Sequence, residues 1–203
     1  TVLLYGIRFD VIVISLLWFV PVILLILLTK NSTINRIQLS VVRFWLSFTT
    51  LLIVFLELST PAFIDQYDTR PNRIYFEYLD TPVEVLKTSL LEYPWHFAIA
   101  LIIMVFLIRF LLRFNQQVFS RVNPWPLWLR VVLLPCFVLL LVLGARSSLD
   151  HRPANASTAA FSNDQLVNKL GLSSTYTVLS AYYNLKNEAS DNSVYGQMPD
   201  RKM

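Results

Sequence analysis

The sequence predicts an all-α, polytopic membrane protein with four transmembrane helices and amphipathic interfacial helices on its outer face. Hydrophobic residues make up 55% of the 203 residues and charged residues 15%, a composition that does not suit a soluble domain. Charge is nearly absent from four long stretches, which also lack the polar stripe of a soluble core helix. Because a bilayer core is spanned by about 20 apolar residues, each stretch predicts one membrane helix.

The transmembrane domain is predicted to cover 1–146 and to contain an outer loop at 59–92. Proline removes a backbone hydrogen bond from a helix, so Pro21 and Pro135 predict kinks in the first and fourth helices. The four helices are expected at about 10–29, 38–58, 93–113 and 127–145.

Two amphipathic helices are expected outside the membrane core. In the outer loop, Asp80 or Thr81 followed by proline predicts the start of a short helix that lies in the headgroup region. Beyond the fourth helix, residues 147–203 form an outer connector that begins as a polar, Ser/Asn-rich stretch. The connector then becomes amphipathic, and Ser173 or Ser174 is expected to cap its helix.

The charges of the connections predict the orientation. The charged residues of the first and third connections are all basic, whereas the segment from Glu57 to Glu92 carries seven acidic and three basic ones. Since Lys and Arg near helix ends favour the cytoplasmic side, the outer loop and both ends of the chain are expected to be extracytoplasmic. Trp45, Trp125 and Trp128 are expected at the inner interface. Tyr93 and Trp95 are expected at the outer one.

This orientation also implies a further helix upstream of the chain. The first predicted helix lacks the basic leader and the small-residue cleavage site of a secretory signal. One more helix, with its own N-terminus in the cytoplasm, would explain how the chain is inserted. The absence of an initiator Met fits the same expectation, that the chain is an internal stretch of a longer protein.

Several functional classes are excluded by the residues present. The basic residues cluster in short loops rather than on a patch with base-stacking aromatics, which argues against nucleic-acid binding. Nucleotide-binding glycine patterns, HExxH and nucleophile elbows are absent from the sequence. His96 and His151 match no metal-binding spacing. By its residues alone, the sequence therefore carries no catalytic residue, no metal site and no cofactor.

Four segments of the chain stand out together: YGIRFD, RPNRIYFEYLDTPVEVL, the RP at 152–153, and NKLGLSSTYTVLSAYYN. They are similar to the N-terminal half of the lipoteichoic acid synthase-like proteins, which are bacterial membrane-anchored phosphoglycerol and phosphoethanolamine transferases with a sulfatase-type domain. The resemblance implies that the predicted helices are the second to fifth of five. It also implies that the connector leads to an outward-facing catalytic domain, whose nucleophile and divalent metal, expected to be manganese, lie beyond residue 203.

The resemblance assigns this segment an anchoring and positioning role in the bacterial cytoplasmic membrane. The expected partners are membrane lipids and the chain's own downstream catalytic domain, and no catalytic residue is carried over. The positions expected to touch lipid headgroups or that domain are Arg8, Asp10, Arg70, Asn72, Arg73, Glu77 and Arg152.

Two other functional classes compete with this interpretation. A non-enzymatic scaffold or assembly factor would use the same outer segments to dock an extracytoplasmic partner. A transporter subunit is disfavoured, because the apolar stretches hold no series of acids and bases for a proton relay. Inverted repeats, which are typical of transporters, are also not found.

Overall fold

The computed structural model describes residues 2–120, 122–148 and 150–194, and within them all regular secondary structure is helical. This confirms the predicted all-α class. The α-helices are α1 (Val2–Ile26), α2 (Ser32–Tyr67), α3 (Arg73–Glu77), α4 (Pro82–Glu92), α5 (Pro94–Phe119), α6 (Leu127–Arg146), α7 (Gln165–Leu170) and α8 (Ser174–Val194), with a 3-10 helix at Ala156–Ala159. Residues 149 and 195–203 of the predicted connector, and Arg121 of the third connection, lie outside the described residues.

Four of these helices, α1, α2, α5 and α6, are long and apolar enough to cross a membrane. They coincide with the four predicted stretches, but three of them are longer than expected. Helix α1 begins at Val2 instead of near residue 10, and α5 continues to Phe119. The early start of α1 has a physical reason, because its first turns are packed: the ring of Tyr5 stacks on that of Phe161 at 4.8 Å between centroids.

Helix α2 also extends through the first part of the predicted outer loop. It passes Pro61 and ends at Tyr67, whereas the prediction ended it near residue 58. The hydroxyls of Ser59 and Thr60 each donate to the carbonyl of Leu56 at 2.8 Å, which takes up their polar groups inside the helix. The extension therefore forms a helical support for the segments that follow it.

Aromatic side chains hold the next segment against this extension. Phe63 is buried, and its ring lies 4.9 Å from Tyr67, 6.1 Å from Tyr75 and 6.4 Å from Tyr78, measured between centroids. Burial raises the pKa of Tyr75, which a hydrogen bond with Ser59 partly opposes. The segment NRIYFEYL, whose form the sequence leaves open, thus becomes the short helix α3 and a turn packed on α2.

Helix α4 begins as predicted, with proline at its first position after Thr81. Its apolar residues Val83, Leu86, Leu90 and Leu91 are all exposed. Each of them is at least 47% exposed, so within the described chain the helix presents a largely uncovered apolar face, as expected for an interfacial helix.

The four long helices form a row in the order α6, α1, α2, α5, each contacting its neighbours. In α5, the amide of Asn115 donates to the Ser47 hydroxyl of α2 at 2.6 Å. At the other end of the same pair, the Tyr93 hydroxyl donates to Asp65 at 3.3 Å. Consecutive helices therefore run in opposite directions. We call the end that holds Tyr93 and the start of α1 the connector end, because residues 150–194 pack there.

A hydrogen bond between side chain and backbone joins α1 to α2 midway along both helices. Pro21 has no N–H, so the carbonyl of Leu17 cannot make its usual bond within the helix. The indole N–H of Trp45 donates to that carbonyl at 2.7 Å. Trp45 is therefore a link between α1 and α2, and its predicted place at the inner interface stays a prediction.

Helices α1 and α6 approach closely at Gly144. A Cβ added to Gly144 would collide with the Ser15 side chain of α1, which is buried. Small residues allow such an approach between apolar helices.

We expect Gly144→Ala to lower the free energy of unfolding by about 1–3 kcal/mol, because the added methyl group overpacks this contact. Thermal unfolding in detergent measures it. Gly6→Ala is the matched control, since a Cβ there meets nothing within 4 Å. The double variant Ser15→Gly, Gly144→Ala restores the space and should recover most of the loss. If Gly144→Ala behaves like Gly6→Ala, the contact is not close in the protein.

The connector folds back onto α1 through a small apolar core. Phe9 and Ile12 of α1 are buried together with Ala154, Ala159 and Leu172 of the connector. The Phe9 ring also lies 4.7 Å from that of Tyr176 in α8. The start of α8 is thereby held beside the first three turns of α1.

Candidate functional site

The first turn of α8 is capped by a residue of another helix. The backbone N–H of Ser174 donates to Glu57 Oε1 of α2 at 2.8 Å. A carboxylate is favoured at a helix N-terminus, where backbone N–H groups lack partners within the helix. The Ser174 hydroxyl lies 2.6 Å from that of Thr60, one turn further along α2. Two positions more than 110 residues apart in sequence are therefore in direct contact.

Arg70 completes this arrangement from the chain between α2 and α3. Its Nη1 lies 3.0 Å from Glu57 Oε2 and 2.8 Å from the Ser174 hydroxyl. Its Nε and Nη2 each donate at 3.1 Å, to the carbonyls of Lys169 and Leu170 at the end of α7. The Arg70 side chain is only 15% exposed. We call Glu57, Thr60, Arg70 and Ser174 the polar latch.

Two predicted residues of α1 reach the same end of the molecule. Asp10 interacts with the hydroxyl of Ser173 and lies near the Glu57 and Arg70 side chains. Arg8 donates from Nη2 at 2.6 Å and from Nε at 3.1 Å to the carbonyl of Ser147. That carbonyl follows the last turn of α6, where a cation is favoured by the helix dipole. Arg8 thus fixes the point where the chain leaves α6.

The other predicted residues lie around α3 and at the start of the connector. The Asn72 side chain accepts a hydrogen bond from the Ile74 N–H at 3.0 Å and caps α3. Arg73 pairs with Glu77 at 3.7 Å and with Glu188 of α8 at 3.3 Å, and all three side chains are exposed. Arg152 is exposed and lies outside the polar latch.

The structure therefore brings together the segments that carry the predicted positions. Arg70 is part of the polar latch, Asp10 lies near it, and Arg73 joins α3 to α8. Sequence reasoning did not select Glu57 for the site, although an acid at the end of an apolar stretch is a signal of a buried polar partner. It took Ser174 for a cap of its own helix and found no role for Glu188.

A groove of 510 Å³ lies beside the polar latch, between α3, the 3-10 helix and α8. Its polar lining includes Asn72, Arg73, Thr177, Ser180, Asn184 and Glu188. Tyr176 also lines it, and burial raises the pKa of its hydroxyl, partly opposed by a hydrogen bond with the Ala156 backbone. The phenol therefore stays protonated at neutral pH.

The described part of the chain brings no three His, Cys, Asp or Glu side chains together in a way that could hold a metal ion. The His96 ring packs edge-on against that of Tyr93, with 5.9 Å between centroids.

The carboxylate, guanidinium and hydroxyl groups of the polar latch are hydrogen-bonded to one another. The arrangement can thus hold the connector in place, which is a structural role.

No protein-family model matches the sequence, and no solved structure matches the chain. The site is therefore interpreted from its own residues and contacts.

Proposed function

We propose that this chain is the membrane domain of a bacterial lipid-headgroup phosphotransferase. It anchors an extracytoplasmic, sulfatase-like catalytic domain in the cytoplasmic membrane and positions it for phosphoglycerol or phosphoethanolamine transfer at the outer face. The resemblance of the four quoted segments suggests the reaction. The polar latch supports the positioning role, and it is the observation on which this proposal depends.

The polar latch and the apolar core beneath it do more than an anchor requires. One apolar helix is enough to hold a domain at a membrane. Here the connector is tied to α1 through Phe9 and to α2 through Glu57 and Thr60. A connector fixed in this way holds whatever follows it at one height and orientation. Such fixed placement favours a reaction at lipid headgroups, because it removes the entropy cost of bringing enzyme and substrate together.

The proposed orientation places the connector end outside the cytoplasm. The basic residues of the opposite connections support it through the positive-inside rule. In this orientation the uncovered apolar face of α4 lies in the outer leaflet, at the level of the headgroups. The divalent metal implied by the resemblance, manganese, belongs to the catalytic domain, and we assign no residue of this chain to it.

The test uses the protein purified from the membranes of its natural host. Intact mass and peptide mapping of both ends come first, followed by headgroup transfer from labelled phosphatidylglycerol or phosphatidylethanolamine with Mn²⁺. We expect a mass well above 23.5 kDa, sulfatase-type peptides and transfer activity. A mature protein of 23.5 kDa without transfer activity would overturn the proposal and favour the scaffold that docks an extracytoplasmic partner.

A chimera separates positioning from plain anchoring. Helices α1–α6 are replaced by one unrelated membrane helix, and the connector and all that follows are kept. We expect activity on a water-soluble substrate analogue to survive while activity on membrane lipid falls about 100-fold, within the range of proximity effects. Full activity of the chimera on membrane lipid would contradict the positioning role.

A further inference from the structure

An arginine lies in the seam between α2 and α5, at the end of the row opposite the connector end. The Arg43 guanidinium of α2 lies over the Phe119 ring of α5, at 5.7 Å from the ring centroid. One turn nearer the connector end, the Asn115 amide donates to the Ser47 hydroxyl and joins the same two helices. Phe119 is buried in an apolar cluster with residues of α1 and α2. The Arg43 guanidinium is therefore positioned by the packing of these helices.

This guanidinium has no counter-charge on the helices around it. The Nε atom of Arg43 is buried, and no described residue accepts a hydrogen bond from it. The sequence holds no acidic residue in 11–56 or in 93–149, the stretches that form this end of the row. Because a partly buried charge without a partner is costly, the arrangement favours an anion that comes from outside the chain.

The position of Arg43 along α2 matches the phosphate level of a bilayer leaflet. Asp65 lies at the connector end, where it accepts a hydrogen bond from the Tyr93 hydroxyl. At about 1.5 Å per residue, the part of α2 from Arg43 to Asp65 is about 33 Å long, and a hydrocarbon core is about 30 Å thick. With the connector end at one membrane surface, Arg43 therefore lies where the hydrocarbon of the opposite leaflet meets its headgroups.

We propose that Arg43 binds the phosphodiester of an anionic phospholipid in the leaflet opposite the connector end. A guanidinium binds phosphate through two parallel hydrogen bonds, and the phosphate supplies the negative charge that the helices lack. Phe44 and Phe48 of α2 and Val118 of α5 are exposed beside the seam. Acyl chains can cover these side chains at membrane depth, whereas a soluble acidic protein cannot.

A lipid with net negative charge suits this site better than a zwitterionic one. Lys30 and Arg36 are exposed at the same end of the row and add to its positive potential. The ammonium of a zwitterionic headgroup would be repelled there, because like charges at short range are unfavourable. The inference does not depend on the proposed reaction, since the site lies at the opposite end of the helices from the polar latch.

Native mass spectrometry of the full-length protein in detergent tests this inference. Equal amounts of phosphatidylmethanol, phosphatidylcholine and diacylglycerol compete for the protein. Phosphatidylmethanol is an anionic diester, phosphatidylcholine adds a quaternary ammonium to the same phosphate, and diacylglycerol lacks the phosphate. We expect phosphatidylmethanol to be retained about tenfold over each of the others, the size of one charge-assisted contact.

Three variants locate the site. Arg43→Gln removes the charge and should bring retention of the three lipids within about twofold of one another. Arg43→Lys keeps the charge but loses the two parallel hydrogen bonds, so the preference should fall part of the way. Lys30→Gln removes a positive charge from an exposed position of the same end and should leave the preference unchanged. Phosphatidylmethanol should raise the Tm of the unmodified protein and of Lys30→Gln, but not that of Arg43→Gln.

Equal retention of the three lipids by the unmodified protein, or an unchanged preference in Arg43→Gln, would overturn the inference. An equal loss of preference in Lys30→Gln would also overturn it, because the summed charge of this end would then attract the lipid. Displacement of the bound lipid by dimethyl phosphate at equal concentration would overturn the lipid source. Displacement by polyglutamate would assign the site to an acidic protein instead.

Discussion

Glu57→Ala is expected to detach the start of α8 from the long helices α1 and α2. The change removes the acceptor of the Ser174 N–H and the charge partner of Arg70, whose side chain is only 15% exposed. A hydrogen bond to a charged group contributes about 1.5–3 kcal/mol. Because the Glu57 side chain is 41% exposed, solvent screening places the expected loss of stability near the lower end of that range. Hydrogen–deuterium exchange in the first turn of α8 should rise sharply, and thermal unfolding in detergent reports the loss.

Matched variants distinguish the loss of the Glu57 charge from a general loss of stability. Glu57→Gln keeps an acceptor oxygen for Ser174 and should cost less than Glu57→Ala. Arg70→Lys keeps the charge but cannot reach both carbonyls at the end of α7, so exchange should rise there as well. Glu84→Ala, on the exposed surface of α4, should change neither quantity. If Glu57→Ala behaves like Glu84→Ala, the polar latch does not hold the connector.

The second large effect is expected at the link between α1 and α2. Trp45→Phe keeps most of the apolar contact but leaves the Leu17 carbonyl, already freed by Pro21, without a donor. An unsatisfied buried polar group costs about 1–3 kcal/mol, and hydrocarbon offers no water to replace the donor. We expect the free energy of unfolding to fall by that amount, measured by thermal unfolding in detergent.

A double-mutant cycle assigns this loss to the carbonyl. Pro21→Ala restores an N–H at position 21, which can bond to Leu17 within α1. Trp45→Phe should therefore cost much less in the Pro21→Ala background than alone. Trp95→Phe serves as the control, because Trp95 is highly exposed at the start of α5. Equal losses of stability in both backgrounds would show that Trp45 stabilises the protein through packing, and not through its hydrogen bond to the Leu17 carbonyl that Pro21 leaves free.

Local sequence patterns predicted those helices that local features, such as apolar runs and proline positions, determine. Runs of about 20 apolar residues identify membrane-length helices, and proline after Thr81 marks the start of α4. The helix ends were predicted less well because tertiary contacts decide them. Helix α2 continues past Pro61 since Phe63 and the rings around it pack on α3, a contact that no pattern within α2 reveals.

The candidate site likewise has features that the sequence predicts and features that depend on long-range contacts. Arg8, Asp10 and Arg70 are predicted from the sequence because they lie in the segments that carry the resemblance. Their roles depend on residues far away in sequence, such as Ser147 for Arg8 and Ser174 for Arg70. The long-range pairing of Glu57 with the start of α8 has no counterpart in local sequence, so only the structure reveals the polar latch.

Oxidative cross-linking tests the central claim, that the connector is held on the four long helices, most directly. In a Cys136→Ala background, cysteines replace Thr60 and Ser174, whose hydroxyl oxygens lie 2.6 Å apart. We predict rapid and nearly complete formation of the cross-link in native membranes, seen as a shift in electrophoretic mobility that reductant reverses. The pair Glu84→Cys, Ser174→Cys is the control. Cross-linking of the Thr60→Cys, Ser174→Cys pair no faster than this control would contradict the account.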